Sequence, residues 1–176
     1  ENKILFITKY NEILNQTDYA VALKTYARMY PTAGYGTSFF SWMQSDDPKP
    51  YNSWGNGSAM RVSAVGFAFD SVREVLREAQ NSAAVTHNHP EGIKGAQATA
   101  LAMFLARQGV AKSDIRRHIR HRFHYNLERS LTEMRPHYTF DISCQGSVPE
   151  SIMAFMESEN FVDAIRLAVS MADMRD

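Results

Sequence analysis

The sequence has very few cysteines: Cys144 is the only one among its 176 residues. A single thiol excludes an internal disulfide framework, so we expect a reducing, cytoplasmic environment. We interpret residues 141–147, which surround Cys144, as a loop with no basic neighbour that could lower the pKa of the thiol. A catalytic cysteine is therefore not expected.

The sequence also has no excess of charge of either sign, because 19 Lys and Arg residues balance 19 Asp and Glu residues. A balanced chain has no general attraction to nucleic acid or to a membrane surface, so its partners have to be inferred from local patterns. No apolar run approaches the roughly 18 residues that cross a bilayer, and no cationic-then-apolar signal opens the sequence. We expect no interaction with membranes.

Alternating apolar and polar residues, which indicate strands, are lacking, and so are internal repeats. Apolar residues instead recur every three or four positions, which predicts about eight helices. The longest are expected at 18–30, 60–69, 72–82, 92–108, 112–125 and 160–171. The length suits one domain over residues 1–176. The sequence therefore predicts an all-α, compact single-domain helical bundle.

Small residues line one face of the predicted helix 92–108. They are Gly92, Gly95, Ala96, Thr99, Ala102 and Ala106. Because small faces allow helices to cross closely, we expect this helix to be central and its first turn to carry function.

The segment 51–61, with sequence YNSWGNGSAMR, combines two glycines and several short polar side chains directly before an apolar run. Glycine lets a backbone approach a ligand closely, and a following helix start presents unpaired N–H groups to an anion. Trp54 could stack on a planar ring. The same pattern is also typical of a turn that merely precedes a helix.

His87 and His89 form a His-x-His pair before Pro90. The string resembles part of the metal signature of JAMM-type peptidases, but the Ser and Asp that complete this signature are replaced by the run QATA at 97–100. The other interpretation is a neutral His87 that donates one hydrogen bond to a ligand or a carbonyl.

Residues 116–124, with sequence RRHIRHRFH, are strongly cationic. Three histidines at every third position suggest a zinc site, but the arginines between them would repel a cation. We expect a solvated cationic face. Nucleic-acid binding through this face is an alternative, although the zero net charge argues against it as the main function.

Four motifs together resemble the ADP-ribosylglycohydrolase family, bacterial type, similar to ADP-ribosyl-[dinitrogen reductase] hydrolase. They are GYG at 34–36, YNSWGNGSAMRV at 51–62, THNHPEGIKGA at 86–96 and CQGSVPE at 144–150. They follow in the order and spacing of the family over nearly the whole chain. The resemblance implies a compact orthogonal all-α bundle that hydrolyses the glycosidic bond between ADP-ribose and an acceptor such as an arginine or serine side chain, using two Mg²⁺ ions.

The resemblance also implies roles for individual residues. Ser53 and the backbone from Gly55 to Gly57 would meet the pyrophosphate, and Trp54 would stack on adenine. His87 would contact a phosphate or the distal ribose. Further residues would shape the floor of the pocket or line its adenine side, namely Asn56, Ser58, Met60 and Ile142.

The metal-ligand runs of the family match poorly at both ends of the sequence. Glu1, Asn2 and Lys3 stand where the family has an Asp-Asp-Ser/Thr run, and of Met174-Arg175-Asp176 only Asp176 would match a metal ligand. Positive charge at positions 3 and 175 is unfavourable beside two dications. Three explanations stay open: a degenerate member, a truncated member that lacks the metal-site segments at both ends, or a chain in which segments are missing from the sequence. We expect impaired hydrolysis, and the alternative function is a non-catalytic module that binds ADP-ribose or a protein.

Overall fold

A computed structural model describes residues 16–47 and 49–172. Within these ranges the chain consists of helices and loops, without a strand, so the predicted all-α class is confirmed. The helices are α1 (Gln16–Met29), α2 (Thr37–Gln44), α3 (Gly57–Met60), α4 (Ser63–Ala68), α5 (Val72–Ala84), α6 (Pro90–Arg107), α7 (Lys112–Phe123), α8 (Leu131–Met134), α9 (Cys144–Glu157) and α10 (Phe161–Ala172), with a 3₁₀ turn at Arg135–His137. None of these helices is both long and apolar enough to pass through a bilayer.

Helix α6 is the centre of the bundle, as its small face predicts, and it packs against α3, α4, α5, α7 and α9. The neighbouring helices α4 and α9 come closest to α6 at glycine residues. A β-carbon on Gly66 would lie 2.8 Å from Met103 Cβ, and one on Gly95 would lie 2.5 Å from Cys144 Sγ. Since real β-carbons do not approach other atoms so closely, α4 and α9 depend on these glycines to reach α6.

The main core surrounds α6 and includes the fully buried side chains of Val62, Val65, Ile115, Ile119 and Leu127. A smaller apolar cluster joins α1 and α2 to the end of α5 and contains Tyr19, Ala27, Trp42, Met43 and Val85. The short helix α2 therefore covers a satellite core and not the central one.

Glu78 is fully buried beside this satellite core, at the contact of α1 and α5. The Tyr19 hydroxyl donates to its Oε2 at 3.2 Å, and Arg77 Nε donates to its Oε1 at 2.7 Å. A buried carboxylate needs such partners, because removing it from water without them is costly.

Two predicted boundaries are wrong. The single helix predicted from residue 60 to 69 is broken after Met60, and α4 starts at Ser63. The break buries Val62 in the core and directs Arg61 to the end of α5, where its Nη2 donates to Ser82 O at 2.6 Å. Cationic groups are favourable at the carbonyl end of a helix.

The second wrong boundary is the start of α9. The pattern SVPE at 147–150 predicts a helix start, and residues 141–147 were expected to be a loop, but α9 begins at Cys144. Ser143 caps it, since its Oγ accepts from Gly146 N at 3.1 Å. Pro149 consequently lies inside the helix, where it is buried.

Candidate functional site

The glycine-rich loop at residues 51–57 lies between α2 and the start of α3. Hydrogen bonds join it to the turn that follows α5. Asn52 has a left-handed backbone, with φ at 53°, and its N–H donates to Asn88 Oδ1 at 2.8 Å. Ser53 N points to Thr86 O at 3.5 Å. Asparagine adopts the left-handed region more readily than most residues, which suits it to this position.

The same loop is held on its other side by the segment 141–147, which leads into α9. Asn56 N donates to Ile142 O at 2.7 Å, and Cys144 N donates to Trp54 O at 2.8 Å. The Asn56 side chain adds a bond from Nδ2 to Ser147 Oγ at 3.0 Å. These bonds include an isolated antiparallel bridge between Gly55 and Ser143. Two segments separated by almost 90 residues are thereby fixed against each other.

His87 lies directly beneath the glycines of the loop. Its side chain is only 6% exposed, and a β-carbon on Gly57 would lie 3.2 Å from its Nε2. A β-carbon on Gly92 would lie 2.6 Å from Ser53 O, so the first turn of α6 also touches the loop backbone. Glycine at positions 57 and 92 is what permits the loop, the imidazole and α6 to meet.

The environment of His87 favours its neutral form. Burial, and to a smaller extent the charge of Arg61, lowers its pKa from 6.5 to about 4. Thr86 Oγ1 lies 2.7 Å from His87 Nδ1 and also accepts from Arg61 Nη2 at 2.8 Å. The imidazole is thus uncharged at neutral pH and oriented through Nδ1, with Nε2 toward the loop.

Two backbone amides where the loop joins α3 are available as hydrogen-bond donors. The first amides of a helix have no partner within that helix. For the amides of Gly57 and Ser58, at the start of α3, no acceptor is found among the residues that the structure describes. The Ser58 side chain, in contrast, is buried and donates to Gly92 O at 2.8 Å. Ser58 therefore anchors α3 to α6 through its hydroxyl.

The apolar side chains predicted for the site lie at its surface. Trp54 is 53% exposed and makes an edge contact with the His89 ring at a centroid distance of 6.0 Å. Ile142 is 66% and Met60 is 76% exposed. The backbone carbonyls of Trp54 and Ile142 both accept hydrogen bonds at the bridge between the loop and the 141–147 segment.

The structure brings together the predicted residues of the loop, His87 and the backbone of Ile142. It adds groups that sequence reasoning did not assign to the site. They are Arg61, Thr86, Asn88 and Gly92. All four lie within the 51–62 and 86–96 motifs that carry the family resemblance, which is the signal that could have found them.

Cys144 is buried against this site but is not activated. Burial raises the pKa of its thiol, and its Sγ lies 3.2 Å from Gly55 O. A thiolate is therefore disfavoured, in agreement with the expectation that Cys144 is not a nucleophile.

The described part of the chain has no group of three or more His, Cys, Asp or Glu side chains that could hold a metal ion. The three histidines of α7 and its C-terminal end do not converge, since His118 and His124 line different cavities. Asp176 and residues 1–3, to which the resemblance assigns the ligand runs, lie outside the described residues. The described residues alone therefore do not fit a Mg²⁺ pair.

Comparison with known proteins identifies the family that the sequence motifs resemble. A model of the ADP-ribosylglycohydrolase family matches residues 6–175. The ADP-ribosylhydrolase ARH3 of Mus musculus is 47% identical over 62 residues, which make up 35% of this chain and 17% of that protein. The ARH3 proteins of Homo sapiens and Bos taurus are each 45% identical over 62 residues, with the same shares. The matched segment thus spans about a sixth of the length of these relatives.

Proposed function

Because the chain belongs to the ADP-ribosylglycohydrolase family, we propose that it binds the ADP-ribosyl group of a modified protein at the 51–57 loop and takes part in hydrolysing its glycosidic bond. The observation that carries the proposal is the convergence of the loop, His87 and the 141–147 segment at one place. Family membership supplies the reaction class, and the geometry supplies the binding groups.

The pyrophosphate of ADP-ribose fits the loop for physical reasons. A diphosphate needs several N–H donors at short range and no carboxylate beside it. The amides at the start of α3 provide donors, and the glycines allow the phosphate oxygens to approach the backbone. Arg61 adds a positive charge next to the site, where its guanidinium donates to Thr86 Oγ1.

A neutral His87 suits this arrangement as a hydrogen-bond donor. In our proposal the Thr86 hydroxyl donates to Nδ1, so that the proton of the imidazole resides on Nε2 and faces the ligand. A phosphate or ribose oxygen at the loop could accept this proton as a hydrogen bond. The low pKa of His87 keeps the imidazole from acquiring a charge near pH 7.

The adenine ring would use the apolar edge of the loop. Trp54 and Ile142 expose large apolar surfaces where the loop meets the 141–147 segment. An indole face and a branched aliphatic chain can enclose a purine, and burial of both faces of the ring contributes to affinity.

The proposal includes Mg²⁺ only because the family resemblance implies it. Bound Mg²⁺ ions would orient ribose hydroxyls and activate water. The positions to which the resemblance assigns the Mg²⁺ ligands lie outside the described part of the chain. The second candidate function is a non-catalytic module that recognises ADP-ribosyl groups. Both functions need the same nucleotide site.

Calorimetric titration with ADP-ribose tests the site. Gly57→Ala places a methyl group 3.2 Å from His87 Nε2 and should weaken binding by about tenfold, which corresponds to ~1.4 kcal/mol. Gly36→Ala is the matched control, because nothing lies within 4 Å of its new β-carbon and its φ is −62°. No binding by the unmodified chain, or equal effects of the two substitutions, would refute the proposed site.

Mass spectrometry of ADP-ribosylated arginine and serine peptides distinguishes the two candidate functions. Release of free ADP-ribose that requires Mg²⁺ is expected for the hydrolase. Binding without release over the same incubation supports the non-catalytic module and contradicts the hydrolytic part of the proposal.

A further inference from the structure

Helix α7 presents a cationic cleft that the proposed nucleotide site does not use. The cleft has a volume of about 980 Å³. Its lining consists of Ser113, Arg116, Arg117, Arg120, His121, His124, Tyr125, Asn126 and Glu128. Ile115, Ile119 and Phe123 fix the opposite, buried face of α7 in the core. The periodicity of this apolar stripe therefore forces the basic residues outward, where they border one depression.

Positive charge is concentrated here although the whole chain is neutral. Three arginines line the cleft, Arg116, Arg117 and Arg120, against the one carboxylate of Glu128. Asp114 pairs with Arg117 at 2.9 Å, and Glu128 contacts Arg120. Arg116 is exposed and forms no ion pair with any residue that the structure describes. Both carboxylates are thus already engaged, and the cleft keeps an excess of positive charge.

The lining of the cleft runs along α7 from Ser113 to His124, which indicates a long ligand. A helix of 12 residues is about 18 Å long, a length along which one strand of duplex DNA presents about five phosphates. Arginine guanidinium groups bind phosphate oxygens in a bidentate manner. A single small anion would use only one turn of this surface.

The cleft exposes no phenylalanine, tyrosine or tryptophan ring. Tyr125 is 5% exposed, and Lys94 Nζ lies over its ring at 4.5 Å from the centroid. The imidazoles of His121 and His124 are the exposed rings of the lining, so most contacts would be made with the sugar-phosphate backbone. From the charge, the length and this lining, we propose that the α7 cleft binds the phosphate backbone of a nucleic-acid strand without sequence preference.

Fluorescence anisotropy with a labelled 12-nucleotide oligo(dT) tests the proposal. If the three arginines neutralise three phosphates, affinity should fall by about 20-fold between 50 and 200 mM salt. Removal of two contacts in the double variant Arg116→Gln/Arg120→Gln should reduce this fall to about 3-fold. The same variant should bind ADP-ribose as the unmodified chain does.

The double variant Arg73→Gln/Arg166→Gln is the matched control, because it removes the same charge from exposed positions on α5 and α10. It should retain the full salt dependence, and thermal unfolding should confirm that both variants are folded. The proposal is overturned by absence of salt-dependent binding, by equal losses in the two variants, or by tighter binding of an oligo-glutamate peptide than of the oligonucleotide.

Discussion

Acidification should destabilise this protein through His87 in particular. Below pH 6.5 an unfolded chain protonates this imidazole, whereas the folded chain keeps it neutral until the pH reaches about 4. Because the unfolded state then binds more protons than the folded state, the free energy of unfolding falls as the pH falls. The effect starts near pH 7 and ends below pH 4.

The size of the effect follows from the difference between the two pKa values. The decrease from 6.5 to about 4 corresponds to roughly 3 kcal/mol in total, since each pKa unit is worth about 1.4 kcal/mol. Between pH 7 and pH 5 the loss should be about 2 kcal/mol. His87 is 6% exposed, so screening by solvent does not reduce this figure substantially.

Urea unfolding between pH 7 and pH 5 measures this loss, and the variant His87→Gln isolates it. The variant should be less stable than the unmodified chain at pH 7 but should depend less on pH, by about 2 kcal/mol over this interval. All other titrating groups contribute equally to both chains and cancel in the difference. Parallel pH dependence of the two chains, or an NMR titration of His87 with a midpoint near 6.5, would refute the assignment.

Three further substitutions test helix packing, a buried hydroxyl and a helix cap. Gly95→Ala should cost about 1–3 kcal/mol in urea unfolding, because its methyl group would lie 2.5 Å from Cys144 Sγ and force α6 and α9 apart; an unchanged midpoint would contradict the close crossing. Tyr125→Phe should be neutral or raise stability by up to about 1 kcal/mol in thermal unfolding, because the buried hydroxyl has no hydrogen-bond partner in the described part of the chain, and a clear loss would reveal one. Ser71→Ala should lower the free energy of unfolding by about 1 kcal/mol, since Ser71 Oγ caps α5 by accepting from Glu74 N at 3.2 Å. Thermal unfolding followed by the helical signal measures this loss, and an unchanged midpoint would contradict the role of the cap.

Local sequence patterns were sufficient for much of the fold. Apolar spacing located α5 and α7 closely, and the capping pattern at Ser71 identified the first residue of α5. The small face of α6 predicted its central place. These features depend on residues within one or two helical turns of each other, where periodicity and capping chemistry act.

Pattern alone failed where a distant contact decided the local structure. Residues 141–147 contain polar residues and a glycine, which indicate a loop, yet α9 starts at Cys144. The contact of Cys144 with Gly95 and the bond from its N–H to Trp54 O bring this segment against α6 and the 51–57 loop. Packing thereby overrides the local preference.

The sequence by itself determined the helical class, the position of the central helix and, through its motifs, the family. Only the tertiary structure decided that Asn56 and Ile142 share a hydrogen bond, that His87 is neutral beneath Gly57, and that the basic residues of α7 border a cleft. The physical reason is that propensity and periodicity act over neighbouring residues. Burial, pKa and the shape of a surface depend on residues that are distant in the chain and meet only after folding.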